Sequence, residues 1–454
     1  MEAFLSRVEG LLWGWPMLAL LVGAGAYLMA ELRFYPLRRL PRAMGLVLRG
    51  ARDHSSGVSS FGALCTALSA TIGTGNIVGV AGALMLGGPG ALFWMELSAL
   101  TGLALKYAEG LLAVRYRFQD GAGRPWGGPF AYILLGLGPR WKPLARCFAL
   151  CCAGAGLLGV GTLVQVGSVC ACFSAWLYRI RGSLQILSFP GGIQVPLGAF
   201  LLGLGITLAA SAVIFGGIQR VSRISSVLVP VMGGAYLLCC LWILANRHEA
   251  LFPALKSVLV GALRPKAVGG GLLGTVMAGV SRGVFSNEAG LGTAPIAAAS
   301  AEDTDPVKQG LLSMSATVFD TFLICTITGL TLLVTGTHSL GVSGAMEAFA
   351  RGLPLPEAFS MGLVLLFLLL FSFTTVVGWS CYGTACLDFL IGGSTAARRI
   401  YLLIYVATTA LAPFCSARGI WSAAGICNAL MALPNLLALL LLHGEIRRIS
   451  ASAG

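Results

Sequence analysis

Charge is scarce in this chain: Asp, Glu, Lys and Arg together make up 10% of 454 residues. A chain of this length that met water on all sides would need roughly a quarter of its residues charged. Most of its surface must therefore face something other than water. Histidine is scarcer still, and His54, His248, His338 and His443 all lie between apolar runs or at their ends. No Cys-x-x-Cys spacing and no His/Cys cluster accompanies them, which argues against a resident metal, a disulfide framework and a membrane-embedded enzyme. Several of the 13 cysteines (Cys151, Cys152, Cys170, Cys172, Cys239, Cys240) sit inside apolar runs, where a free thiol acts as a small hydrophobe. The net charge of +13 comes from basic residues scattered singly or in pairs. Without a basic stripe interleaved with aromatics, nucleic acid is excluded as a partner.

What the sequence has instead is long apolar runs. Hydrophobic residues make up 57% and the mean hydropathy is +0.86. A membrane-spanning helix needs about 20 mostly apolar residues. On that criterion eleven spans are expected, near 10–31, 58–86, 89–114, 145–177, 192–216, 222–245, 268–300, 309–335, 357–385, 399–417 and 420–442. The first run is long enough to span and is followed by Glu31-Leu32-Arg33, not by a small-residue cleavage site, so a retained helix is expected. With the N-terminus outside, 19 of the 30 Lys and Arg fall in inside connections and 9 in outside ones. Lys106 and Arg282 lie within spans. This asymmetry predicts an outside N-terminus and an inside C-terminus. The long outer connection 247–267 is the exception, and its Leu251–Leu263 stretch is expected to be an amphipathic helix on the membrane surface.

Two spans are interrupted in matching places. Span two reads Ala-Thr-Ile-Gly-Thr-Gly-Asn-Ile-Val-Gly over 70–79, and span seven reads Gly-Val-Phe-Ser-Asn-Glu-Ala-Gly-Leu-Gly-Thr over 283–293. Each mid-helix glycine costs around 1 kcal/mol relative to alanine. Unwound backbone at membrane depth is tolerated only where it is buried in protein or lines a cavity. Setting the first helix aside leaves ten, and each break then falls in the first helix of a five-helix half. The halves enter from opposite sides. This predicts an all-α polytopic protein: residues 1–57 as an extra helix and basic loop, 58–246 and 268–454 as inverted repeats, and 247–267 between them. At a helix break, free N–H groups favour a carboxylate and free carbonyls favour an ammonium group or Na⁺. One broken helix thus suits both ends of an amino acid, and Asn76 is expected to donate its amide to the carboxylate.

Charges inside spans cost about 2.5–3.5 kcal/mol each at the helix centre, so each needs a reason. Two roles are open to Glu288, as a functional carboxylate in the second break or as a cap on its N–H groups. Asp320 is expected to pair within the bundle, with Arg282 as partner for it or for Glu288. Glu96, Lys106 and Glu109 follow one another along span three. Lys106 and Glu109 stand at i,i+3 and are expected to form a structural pair near the inner interface. Glu302, Asp303 and Asp305 read as a solvated inner loop. Span nine carries Ser372, Thr374 and Thr375, whose hydroxyls, with freed carbonyls, are the oxygen ligands of a hard cation, and Trp379 on the same face as Thr375. Hydroxyl back-bonding to the preceding turn is the competing use.

Four segments carry a resemblance to the alanine or glycine:cation symporter family. They are Gly-Thr-Gly-Asn-Ile-Val-Gly-Val-Ala (73–81), Gly-Gly-Pro-Gly-Ala-Leu-Phe-Trp-Met (87–95), Lys-Tyr-Ala-Glu (106–109) and Arg-Gly-Val-Phe-Ser-Asn-Glu-Ala-Gly-Leu-Gly-Thr-Ala-Pro (282–295). The resemblance implies a leucine-transporter type of fold and uptake of small neutral amino acids such as alanine or glycine, coupled to Na⁺ or H⁺ across a prokaryotic inner membrane. It implies no organic cofactor. It also implies a substrate pocket of Thr71, Gly73, Thr74, Gly75 and Asn76 in the first break, with Gln165 from span four. Phe285, Ser286 and Asn287 follow from the second break, and Thr375 and Trp379 from span nine. A cation between spans two and nine would meet Ile72, Gly75, Ser372, Thr374 and Thr375. For H⁺ coupling, Glu288 or Glu96 is the expected titrating group, and a channel is the reading from another class. Three segments depart from the family pattern: Gly-Thr-Leu-Val-Gln-Val-Gly-Ser (161–168) keeps Gln165 but lacks flanking amides, Glu96 stands where an aromatic is typical, and 127–132 reads Gly-Gly-Pro-Phe-Ala-Tyr.

Overall fold

The computed structural model of the protein describes residues 2–50, 57–121, 123–189, 193–263, 271–415 and 417–452. The long helices follow the apolar runs. They are α1 (Trp15–Glu31), α2 (Ser60–Thr71), α3 (Val78–Gly87), α4 (Gly90–Arg115), α5 (Lys142–Leu158), α6 (Leu163–Arg181), α7 (Leu197–Ile214) and α8 (Gly217–Asn246). After the connecting helix α9 (His248–Leu263) come α10 (Gly271–Asn287), α11 (Ala294–Ala299), α12 (Pro306–Thr317), α13 (Thr326–Val334), α14 (Glu357–Ile391), α15 (Thr395–Leu411) and α16 (Ala417–Leu441). Two short antiparallel strand pairs lie in connections, Phe118–Gln119 with Pro125–Trp126 and Ile186–Phe189 with Ile193–Pro196.

Span two is broken as expected: α2 is bent by 63° from the segment Thr74–Gly87, in which a short 3-10 turn at Thr74–Asn76 leads into α3. Span seven is broken between α10 and α11. Span eight holds a third irregularity, a π-helical turn at Val318–Cys325 between α12 and α13. Helix α4 packs extensively on both α10 and α12, and α3 lies against α10, which gathers the two broken helices into one bundle. A second group forms around α14, with α5 and α6 against it and α16 against α5. The outer faces present Val227, Val231, Leu238, Trp242, Leu366 and Leu403, all exposed, as lipid-facing helices require.

The bundle is held by close backbone approach. A Cβ added to Gly279 of α10 would sit 2.3 Å from the Ala91 carbonyl oxygen of α4, and one on Gly283 would sit 2.5 Å from the Ser98 hydroxyl. Small residues at such contacts let helices pack by van der Waals attraction, since lipid provides no hydrophobic drive between them.

By length and apolarity, eight single helices and one bent pair among the described residues qualify as spans, fewer than the eleven expected. The shortfall has two sources. The expected span 268–300 is cut by its break, leaving α10 with 17 residues, and the expected span 399–417 is the 17-residue α15. The expected span 145–177 is two helices, interrupted at 159–162 between α5 and α6. The connection 247–267 is helical as α9, with Phe252, Leu259 and Leu263 exposed. Its end, like Arg52, Arg264 and Lys266 of the charge asymmetry, lies outside the described residues. The acidic loop is more structured than expected: Asp305 caps α12 through the Val307 and Lys308 N–H groups, and Asp303 pairs with Lys308 at 2.5 Å.

Replacing Gly279 by valine should overpack the α4–α10 contact and cost about 1–3 kcal/mol. A thermal melt of the purified protein in detergent should show a midpoint several degrees lower; an unchanged midpoint would refute the close-packing account.

Candidate functional site at the two helix breaks

The first break opens where Ile72 and Gly73 turn to extended backbone (φ −72°, ψ 93° and φ −136°, ψ −158°). Glycine is required at 73 by space. A Cβ there would lie 2.8 Å from the Thr375 hydroxyl and 3.0 Å from Gln165 Oε1. Helices α6 and α14 thereby bring Gln165 and Thr375 onto the broken backbone. Gln165 Oε1 accepts from both the Thr74 N–H (3.1 Å) and the Thr74 hydroxyl (3.0 Å). Asn76 Oδ1 accepts from the Gly73 N–H at 2.9 Å, closing the turn from within. The Asn76 amide is thus committed: its Nδ2 donates to Asp320 Oδ1 at 2.8 Å and to the Asp320 carbonyl at 3.2 Å. The expected free donor for a carboxylate is instead a bridge to span eight.

Asp320 is the centre of the site. It is fully buried in the π-helical turn, a form that recurs at functional sites because the extra residue reorients side chains. One carboxylate oxygen takes the Asn76 amide of the first break. The other takes the Ser286 hydroxyl, in the last turn of α10 before the second break, at 2.8 Å and the Thr321 hydroxyl at 3.1 Å. Asn287 Nδ2 in turn donates to Thr321 Oγ1 at 3.1 Å. A single carboxylate and its neighbour therefore tie both breaks together. Among the described residues no ion pair joins Arg282 to Asp320 or to Glu288, whose carboxylates hold other donors. Geometry explains the correction, because hydroxyl and amide donors from the breaks already occupy Asp320.

The second break runs from Glu288, in the left-handed region at φ 54°, to Thr293, with Gly290 and Gly292 also at positive φ. Glu288 takes the Thr293 hydroxyl on Oε2 (2.5 Å) and the Trp379 indole N–H on Oε1 (3.2 Å). Of the two roles expected for it, the cap on N–H groups is not what these two hydrogen bonds form. The cap on the second break is Glu109 of α4, whose Oε1 accepts from the Gly292 N–H at 3.1 Å and from Asn435 Nδ2 at 2.7 Å. Asn435 also donates to the Gly290 carbonyl at 2.9 Å, and the Tyr132 hydroxyl donates to Asn435 Oδ1. Lys106 and Glu109 are both fully buried, and Lys106 Nζ and Glu109 Oε2 have no hydrogen-bond partner among the described residues, so the expected structural pair is not formed as a direct contact.

The expected cation ligands separate into groups. The Thr375 hydroxyl lies 3.4 Å from the Ile72 carbonyl while back-bonding to Phe371 at 2.9 Å. Thr374 turns toward Met232 of α8. The Ser372 hydroxyl is buried with no hydrogen-bond partner among the described residues. Gly75 faces the second break, its Cβ position 3.9 Å from Ser286 Cα. Of the eleven residues expected at the substrate pocket, only Gly75 and Phe285 keep partial exposure; Thr71 and Trp379 are buried with the rest. Trp379 supports Glu288 from behind. Glu96, half-buried on α4, takes the Thr326 hydroxyl at 2.8 Å just past the π turn.

Asn435, Thr321, Tyr132 and Thr293 were not singled out in the sequence. Thr293 and Tyr132 lie in segments quoted above without a role given to them, and Asn435 could have been found as an amide beside Pro434 in an otherwise apolar run.

The profile of the sodium:alanine symporter family matches residues 1–452. The chain is 43% identical over 448 residues to an uncharacterized transporter of Haemophilus influenzae, covering 97% of this chain and 93% of that one. It is 39% identical to the sodium/alanine symporter AgcS of Methanococcus maripaludis, over 98% of this chain and 95% of the relative. Among solved structures it is similar in fold to MhsT in complex with L-phenylalanine, with a TM-score of 0.59 at 13% identity, covering 86% and 90% of the two chains. It is also similar to a Na⁺-coupled sialic acid symporter, with a TM-score of 0.50 at 13% identity over 96% and 86%. The fold is the leucine-transporter type, and the relatives are transporters, not enzymes.

Asp320→Ala should strand the Asn76 amide and the Ser286 hydroxyl, each at about 1–3 kcal/mol for a buried donor left unpaired. A clear drop in melting midpoint is expected, smaller in Asp320→Asn, which keeps acceptor oxygen. Equal midpoints for wild type and Asp320→Ala would contradict the tie between the breaks.

Proposed function

The chain belongs to the sodium:alanine symporter family, and from that premise we propose that it imports a small neutral amino acid, alanine or glycine, together with Na⁺ by alternating access. The observation that carries this reading is Asp320, one formal negative charge hydrogen-bonded to both broken helices at once. A bare cation needs such a charge beside hydroxyl and carbonyl oxygens, and Ser286 and Thr321 supply hydroxyls there. We assign Na⁺ to Asp320 and Ser286. The Ile72 carbonyl with the Thr375 hydroxyl is a second oxygen pair, retained from the expected cation set.

The substrate carboxylate is assigned to the N–H groups of the first break at Thr74 and Gly75, where a helix begins and its partial positive charge lies. Gln165 now covers Thr74 with its oxygen. An amide side chain carries donors as well as an acceptor, so rotation of Gln165 turns its NH₂ toward an arriving carboxylate. The ammonium group meets the carbonyl end of α2. Gly75 and Phe285, the partly exposed members, mark the side of entry. Na⁺ at Asp320 joins the two breaks, and the bundle of α2–α4 and α10–α13 then moves against the group around α14. By linkage, Na⁺ raises substrate affinity by the factor that substrate raises Na⁺ affinity.

We place the protein in a prokaryotic plasma membrane with its N-terminus outside and C-terminus inside, from the Lys and Arg asymmetry. Residues 58–246 and 268–454 are assigned as the two repeats. A second reading, H⁺ in place of Na⁺, is favoured by one observation: Glu96 Oε2 is buried with no partner among the described residues.

Purified protein in liposomes should accumulate labelled alanine under an inward Na⁺ gradient and not with K⁺ alone. Uptake that ignores Na⁺ and follows a pH gradient would transfer coupling to a carboxylate such as Glu96. Absence of uptake of alanine and glycine under either gradient would refute the substrate assignment. Gln165→Ala should raise the KM for alanine about tenfold, equivalent to roughly 1.4 kcal/mol. Gln165→Glu should lose uptake, since it sets a negative charge against the substrate carboxylate; normal KM values in both would remove Gln165 from the site.

A further inference from the structure

Lys106 is a fully buried cation that the reading above does not use. It lies in α4, within the membrane-spanning bundle, and is 0% exposed. Among the described residues nothing accepts a hydrogen bond from its Nζ, and Glu109 Oε2, one turn along, is likewise buried and unpartnered. A buried ammonium at membrane depth is expected to be paired, and a buried polar atom without a partner calls for an explanation.

Its surroundings supply one. Residues 102, 106 and 109 share one face of α4 by helical spacing. Gly102 on that face is in contact with Ala289 of the second break, a Cβ there falling 2.9 Å from the Ala289 Cβ. Lys106 therefore faces the break that Glu109 caps. Three carboxylates gather at that break: Glu288 lies within it, Glu109 caps it at the Gly292 N–H, and Asp320 holds Ser286 just before it. Each of these is hydrogen-bonded to other groups. Asp320 holds Asn76 and Ser286, Glu288 holds Thr293 and Trp379, and Glu109 holds the Gly292 N–H and Asn435. The ammonium is thus committed to none of them, on a four-carbon stem with three rotatable donors.

We propose that Lys106 is a mobile internal counter-ion that reports cation occupancy of Asp320 to the second break. This inference rests on the assignment of Na⁺ to Asp320. With Asp320 free of Na⁺, the ammonium is shared among the three carboxylates. Na⁺ at Asp320 repels it toward Glu288 and Glu109. Those two carboxylates join the second break to Trp379 of α14 and Asn435 of α16, outside the bundle. Lys106 is accordingly a positioning residue, acting on substrate affinity through the shape of the segment that carries Phe285–Asn287.

The test measures Na⁺ binding and alanine binding on the full chain in nanodiscs, each as a function of the other, with radiolabelled ²²Na⁺ and alanine. Lys106→Met should tighten Na⁺ binding at least threefold, because a repelling charge is gone. It should also bring the coupling factor between Na⁺ and alanine close to one. Lys106→Arg should keep both near the wild-type values. Glu109→Gln should weaken Na⁺ binding at least threefold, since the ammonium loses an acceptor and shifts toward Asp320. Tighter Na⁺ binding in Lys106→Met with an unchanged coupling factor means a field effect alone and overturns the proposal. So does unchanged Na⁺ affinity in that variant. If Lys106→Met fails to fold, Glu109→Gln decides, and wild-type Na⁺ affinity there overturns the proposal. A wild-type chain that binds no Na⁺ overturns this inference together with the cation assignment, whereas wild-type binding with unresponsive variants overturns only this inference.

Discussion

An interrupted helix inside a membrane must find every partner for its freed N–H and C=O groups within the protein, because hydrocarbon offers none. The rest of the architecture follows from how that demand is met. Gln165 takes the Thr74 N–H, Asn76 takes that of Gly73, and Glu109 takes that of Gly292. These partners are polar and in part charged, so they must themselves be buried, which requires the tight packing of α4 against α10 and α12. Glycines at 279 and 283 make that packing feasible.

The same groups that satisfy the breaks are suited to a transport site. A partner that can be exchanged for a substrate or an ion is different in kind from one sealed into a core. Gln165 can offer oxygen or nitrogen to the same backbone, depending on its rotation. Asp320 holds three side-chain donors drawn from both breaks and from its own π turn, and a cation can replace donors around a carboxylate without leaving it unsatisfied. Trp379 and Asn435 differ again: they reach the second break from α14 and α16, outside the bundle, so they join the parts that alternating access requires to move.

Much of this was legible in the chain. The scarcity of charge and the apolar runs set the class, since only helices and closed barrels satisfy backbone in lipid and the runs are helix-length. Paired Gly- and Asn-containing interruptions at 70–79 and 283–293 located the breaks, because such residues are costly in a helix unless the helix is meant to stop. Thr375 stood out as a hydroxyl inside an apolar run, whereas Gln165, Ser286 and Asn287 were named by the family resemblance. The span count was less legible, because length alone does not recover a helix that its own break shortens, as with α10.

What the sequence by itself determined, then, was where the backbone unwinds and which residues lie near it. Their pairing was decided only by tertiary structure. Asn76 and Ser286 are 210 positions apart and meet on one carboxylate of a π turn, and Asn435 caps a break nearly 150 positions earlier. Nothing in local spacing ties Asp320 to those partners in preference to Arg282, which is also ionised and also within a span. Hydrogen bonding depends on which helix faces meet, and that is settled by packing across the whole bundle, to which no short stretch of sequence has access.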